Sequence, residues 1–339
     1  MSHQNRTFIV SRADAIGDVV LTLPVAGVLR ELYPQSRIIF LGSNYTQEII
    51  RACKHVDAFL NWDELKEMEE AEQARALAAT GADTIIHVLP MPAIAWLAKK
   101  AGIKLRIGTT NRAYHWYTCN KLVRLSRKKS HYHEAQLNLR LLTVLGAKPL
   151  YELAEIPCYY GLTKLSPLPA DVAGLLDEGR FNLILHPKSR GNGREWGIDN
   201  FIRLVKMLPP EGFKIFVTGM PAERAALEPL LKACPTVTDL VGKLSLPQFL
   251  AFIARADGLL ASGTGPLHVA AAVGIHALGL FPPLRPIHPE RWAPLGPKAM
   301  VFSLEGPCKG CPGVHDCACM RDISPIKLKE YLLSISNRQ

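Results

Sequence analysis

The chain has 339 residues, of which 48% are hydrophobic and 21% charged, with 40 Lys and Arg against 30 Asp and Glu. This length suits two domains of ordinary size, and the apolar share excludes disorder as the default state. The polar start (1–6) and the Gly- and Pro-interrupted apolar stretch 258–283 argue against a signal peptide and a membrane span, so a cytoplasmic protein is expected.

The predicted elements alternate along the chain. Strands are expected at 7–11, 37–41, 58–62, 84–89 and 105–108. Between them, apolar residues at helical spacing (Val19, Val20, Leu23, Val28 and Leu29) predict a first helix, followed by helices at 46–53, 64–80, 93–101 and 134–145, the last ended by Gly146. A stretch rich in Pro (157–169) predicts a domain boundary. The alternation restarts with strands at 182–185, 214–218, 238–241, 258–261 and 277–281 and helices at 199–208, 223–234, 246–255, 267–273 and 325–336. Such alternation predicts an α/β protein with two doubly wound, Rossmann-like halves, 1–160 and 161–324, and a terminal helix (325–339) packing back on the first half.

In such sheets ligands sit at the carboxyl ends of strands, and three segments fall there. Ser11-Arg12-Ala13-Asp14-Ala15-Ile16-Gly17-Asp18 follows the first strand. It has one glycine where a dinucleotide fingerprint needs three, which disfavours a nicotinamide enzyme. Asp18 suits either a helix-start dipole partner or a general base. His186-Pro187-Lys188-Ser189-Arg190-Gly191-Asn192-Gly193-Arg194-Glu195-Trp196 brings three cations to one loop, as a phosphate clamp or an ordinary basic surface loop. Ala261-Ser262-Gly263-Thr264-Gly265-Pro266-Leu267-His268 runs from strand to helix, as a tight turn or as a diphosphate cradle with a Thr264 hydroxyl and free helix N–H groups. The three segments are expected to face one cleft. No Asp-x-Asp pair occurs, so cations and a helix N-terminus are expected to neutralise a leaving diphosphate, with no divalent metal and no cofactor.

Two further features stand out. No Asp or Glu occurs from Thr84 to His133, while Lys and Arg number ten; this block implies an anionic partner or a face balanced by acids elsewhere. No recognised nucleic-acid module accompanies it. Cys308, Cys311, Cys317 and Cys319 lie within twelve residues, a structural metal site or a set of free or redox-active thiols. Cys53, Cys119, Cys158 and Cys234 are expected to be buried thiols.

The stretch Phe8 to Pro24 (FIVSRADAIGDVVLTLP), with 105–108, 133–146, His186 to Trp196, Gly263 to Phe281 and the tail Cys319-Met320-Arg321-Asp322-Ile323, resembles glycosyltransferase family nine, the lipopolysaccharide heptosyltransferases and their relatives. The resemblance implies a GT-B fold, acceptor on the first domain, nucleotide-sugar donor on the second, and inversion without a metal. It implies Asp18 as the base and Thr264, Gly265 and His268 as the donor-phosphate turn. Arg194 falls where many members carry a lysine on the donor phosphate, and Gly17, Lys188, Ser189, Ser262 and Gly263 complete the expected donor set. A phosphorylated glycolipid at the inner membrane surface fits the basic stretch, with Arg106, Arg112 and Lys121 as expected acceptor contacts. Gly263 replaces an acid that is expected to touch the donor sugar, so ADP-heptose is the leading donor, not a fixed one. A sugar-nucleotide epimerase and a non-catalytic nucleotide- or glycan-binding protein are the alternatives.

Overall fold

The structure, a computed structural model, describes residues 6–127, 130–189, 191, 193–308, 310 and 317–336. The chain divides into two compact units at Lys164/Leu165, inside the stretch expected to hold the boundary.

The first unit is built on β1 (Thr7–Ser11), β2 (Arg37–Gly42), β3 (Ala58–Asn61), β4 (Thr84–His87), β5 (Leu105–Thr109) and β6 (Lys121–Val123). They form one parallel sheet in the order β3-β2-β1-β4-β5-β6. In register, Ile9 lies beside Ile39 and Ile85. Phe8, Ile9 and Val10 are fully buried, as strands covered by helices on both faces require. The second unit uses β7 (Phe181–His186), β8 (Phe213–Val217), β9 (Thr238–Asp239), β10 (Gly258–Ser262), β11 (His276–Leu280) and β12 (Ala299–Phe302) in the order β12-β11-β10-β7-β8-β9. Relative to its own first strand this is the same order, reached without sequence repetition. Each sheet reverses its winding between its first and fourth strands, β1/β4 and β7/β10, which is where open α/β sheets bind ligands.

The structure departs from expectation at edges and ends. β6 and β12 are short edge strands whose few residues carry no clear alternation. The helix expected over 64–80 is two, Trp62–Leu65 and Glu70–Ala79; the Asn61 side chain accepts the Asp63 N–H at 3.0 Å and starts the first. The helix from Glu134 tightens after Leu139 into a 3-10 segment, Arg140–Leu145, ended by Gly146 at φ 96°, a left-handed stop that suits glycine. The terminal helix Pro325–Ser336 does not belong to the first unit. Leu328, Leu332 and Ile335 are buried in the core of the second, with Trp196, Phe201 and Leu204, because its apolar face matches that of the Ile198–Met207 helix. Cys53, Cys119 and Cys234 are buried as expected, but Cys158 is exposed, in a short 3-10 turn. Among the described residues, no helix is long and apolar enough to cross a membrane.

Candidate active site

Asp18 sits in the Ile16–Val20 helix that follows β1, at the reversal point of the first sheet. It caps nothing, since the residue before the helix is Ala15 and no side-chain cap forms. Its carboxylate instead meets Arg12, at the carboxyl end of β1. Arg12 is 4% exposed. Its Nε donates to Asp14 Oδ1 at 2.9 Å and its Nη1 to Glu134 Oε1 at 3.2 Å. Glu134 is 1% exposed and also accepts from Arg127 Nε at 2.9 Å. Arg127 Nη2 reaches the Val88 carbonyl and Asn138 Oδ1. Asn138 Nδ2 donates to the Leu21 carbonyl and Thr22 Oγ1, and Thr22 Oγ1 donates to the Asp18 carbonyl at 2.8 Å. The ring of contacts closes on the helix that carries Asp18.

This frame sets the protonation of Asp18. Burial pushes its carboxyl up to about 6, against the pull of Arg12, while Asp14 and Glu134 add to the rise. A carboxyl that changes charge just below neutral pH is suited to accept a proton from a hydroxyl. Beneath the loop, the fully buried Ser11 Oγ has no hydrogen-bond partner. Glu134 and Arg12 were not among the residues singled out from the sequence. The signal was present: Glu134 is the first acid after the acid-free block, and it opens a helix.

The expected acceptor cations divide. Arg106 is half-buried, donating from Nε and Nη1 to the carbonyls of Thr118 (2.6 Å) and Ile103. Arg112 and Lys121 are exposed, Lys121 at the start of the edge strand β6.

In the second unit the two expected donor segments flank the β7/β10 reversal. A Cβ on Gly193 would lie 3.4 Å from the Gly263 carbonyl, so the two loops touch through glycines. The 186–196 loop is braced from within. Ser189 Oγ donates to the Gly193 carbonyl at 2.7 Å, and Glu195, 6% exposed, takes Lys188 Nζ at 2.5 Å and the Ser189 N–H at 3.2 Å. Lys188 is therefore already paired, whereas half-buried Arg194 has no ion pair among the described residues. Burial holds His186 neutral, with its pKa down at about 4. Trp196 anchors the far end of the loop: it is fully buried and its Nε1 donates to the Ile323 carbonyl at 2.9 Å. Arg190 and Asn192 lie outside the described residues.

The Gly265–Val273 helix starts at Thr264 with Pro266 in its first turn and no side-chain cap. Ser262 Oγ and Thr264 Oγ1 are buried without a hydrogen-bond partner, which is uncommon for buried hydroxyls and suits a ligand that supplies oxygens. His268, 3% exposed, lies in the same first turn. A Cβ at Gly263 would come within 2.7 Å of the Phe281 ring, so the aromatic side chain keeps any larger residue out of that position.

Two of the four clustered cysteines pack into a core. Cys317 and Cys319 are buried in the same core as Trp196, and Cys319 Sγ lies 4.0 Å from Cys308 Sγ. Cys311 lies outside the described residues. No group of three metal-binding side chains occurs among the described residues.

The chain is similar to known proteins. The sequence model of glycosyltransferase family 9 (heptosyltransferase) matches residues 71–318. Lipopolysaccharide heptosyltransferase 3 of Escherichia coli (strain K12) is 23% identical over 278 residues, covering 78% of this chain and 79% of that protein. The crystal structure of the glycosyl transferase family 9 protein from Veillonella parvula DSM 2008 matches with a TM-score of 0.80 at 18% identity, covering 100% of this chain and 99% of that one. The E. coli ADP-heptose lps heptosyltransferase II matches at 0.76 and 18%, covering 98% and 99%. Two parallel six-stranded sheets with this likeness constitute a GT-B fold, and the chain belongs to glycosyltransferase family 9 as a glycosyltransferase.

Proposed function

We propose that the protein transfers a heptosyl group from ADP-heptose to an anionic glycolipid of the lipopolysaccharide core, with inversion and without a divalent metal. The observation that carries this reading is the frame of Arg12 and Glu134 around Asp18, which holds one carboxyl at a helix start near neutral titration. In the reaction the acceptor hydroxyl gives its proton to Asp18 while its oxygen forms the new bond to the anomeric carbon. The bond from that carbon to the diphosphate breaks, and ADP leaves with the electron pair. The Thr264 turn, with its unpartnered hydroxyls and helix N–H groups, and Arg194 stabilise the charge growing on ADP. Lys188, already neutralised by Glu195, shapes the loop more than it binds phosphate. Arg112 and Lys121 meet the anionic acceptor, and Arg106 positions the backbone between them. The names of the relatives support the heptosyl donor, and the basic block 84–133 supports the charge of the acceptor. On this reading the enzyme works at the cytoplasmic face of the inner membrane.

Thermal unfolding in the presence of nucleotide diphosphates and their sugars tests the donor, since a ligand of the native state raises its stability. ADP and ADP-heptose should raise the midpoint more than UDP or GDP compounds. Conversion of the nucleotide sugar with no acceptor present would support an epimerase instead. Absence of any nucleotide effect would end the proposal.

A further inference from the structure

The described part of the acid-free block contains an exposed aromatic cluster that the transfer reaction does not use. The Pro92–Lys100 helix buries Ile94, Ala95, Leu97 and Ala98 and turns Trp96 outward, 49% exposed. The adjoining His115–Thr118 helix buries His115 and Thr118 and presents Trp116 and Tyr117, 60% and 70% exposed. The two pieces form one surface. Lys99 Nζ donates to the Tyr117 carbonyl at 2.8 Å and stands 5.3 Å from the centre of the Trp96 ring. Trp116 Nε1 donates to the Thr110 carbonyl at 3.1 Å, which fixes its ring. With about 150–250 Å² per aromatic side chain, the three leave ~350 Å² in water. That is within the range of about 300–600 Å² for the largest apolar patch on a whole protein.

The charge around the cluster is of one sign. Lys99, Lys104 and Arg112 are exposed beside it, and Asn120 Nδ2 ties the Lys104 carbonyl at 2.7 Å. On the neighbouring Glu70–Ala79 helix, Glu70 pairs with Lys100 at 2.9 Å; it marks the border of the face. A two-fold contact between copies would set these cations against each other with no acid to relieve them. Trp and Tyr ringed by Lys and Arg suit the headgroup layer of a bilayer that carries negative charge.

We infer that this face docks the protein on anionic lipid, with Trp96, Trp116 and Tyr117 among the headgroups and Lys99 and Lys104 against lipid phosphates. The inference deepens the proposed function by naming the surface through which a glycolipid transferase reaches its membrane, and it rests on that reading for its purpose alone.

The test is flotation of the full chain with vesicles of phosphatidylcholine, with and without phosphatidylglycerol. The protein should float with the anionic vesicles only, and added salt should release it. The combined variant Trp96→Ser, Trp116→Ser and Tyr117→Ser should weaken binding at least ~10-fold, and Lys104→Glu alone about 5-fold. Unchanged thermal unfolding and ADP binding show that the variants are folded. Wild-type vesicle binding by both variants, no vesicle binding by the wild type, or self-association abolished by the aromatic variant would each overturn the inference. ADP binding without vesicle binding removes the docking face and leaves the transferase. Vesicle binding without any nucleotide binding does the reverse.

Discussion

Replacing Asp18 by Asn removes one ionisable group and leaves an oxygen for Arg12 to bond. In the folded chain the Asp18 carboxyl holds its proton up to about 6, whereas the ordinary value is 3.8. Between those values the native state binds more protons than the unfolded chain, so stability falls as pH rises through the window and stays lower above it. The full difference corresponds to ~3 kcal/mol. The side chain is 23% exposed, and solvent screening brings the expected cost at neutral pH to about 1–3 kcal/mol. Asp18→Asn should therefore be more stable than the wild type above pH 7, by a midpoint rise of about 2–4 °C per kcal/mol, and no more stable at pH 4. The same substitution should lower transfer about 100- to 10,000-fold. In the wild type, transfer should rise with pH on a limb near 6, as Asp18 loses its proton. Thermal unfolding from pH 4 to 8 beside initial rates of ADP release reads both effects. An Asn variant that unfolds earlier at neutral pH, or that transfers at a near-normal rate, would refute the assignment.

Glu134→Gln leaves buried Arg12 and half-buried Arg127 without their shared counter-charge and should cost about 3–5 kcal/mol in urea unfolding. With that negative charge gone, the acid limb of the transfer rate should move to lower pH, because Glu134 contributes to the rise of Asp18. Gly263→Asp drives a side chain into the Phe281 ring and should lose about 1–3 kcal/mol of stability; combined with Phe281→Ala, the total loss should be less than the sum of the two single losses. Arg194→Ala should raise the Kd for ADP in calorimetry about 10-fold or more, as loss of a charged hydrogen bond does, and leave the pH limb in place.

The alternation of apolar runs was enough to read two wound sheets and the loops at their carboxyl ends, because strands buried on both faces leave long apolar stretches with little ambiguity. The edge strands Lys121–Val123 and Ala299–Phe302 escaped because they are short and half covered. The places of Asp18 and of the Thr264 turn, each directly after a strand, were legible because strand and helix patterns meet there. Glu134 was not, because its importance comes from Arg12, 122 positions away in sequence, and spacing carries no information over that distance. Lys188 is one of three cations on its loop in the sequence, and its pairing with Glu195 depends on how the loop folds. The terminal helix was assigned to the wrong unit for a similar reason, since an apolar helix face does not state which partner it matches.

The third carboxylate on Arg12 comes from Glu134, beyond all six strands of the first unit. A chain ending before that position holds every strand of the sheet and the Asp18 loop, yet places an arginine inside the protein with Asp14 and Asp18 alone to balance it. The full counter-charge of Arg12, on which the proposed proton transfer rests, is thus missing from such a shortened chain. A separately supplied peptide spanning residues 130–164 would have to restore it in a single step, together with the packing of the loop.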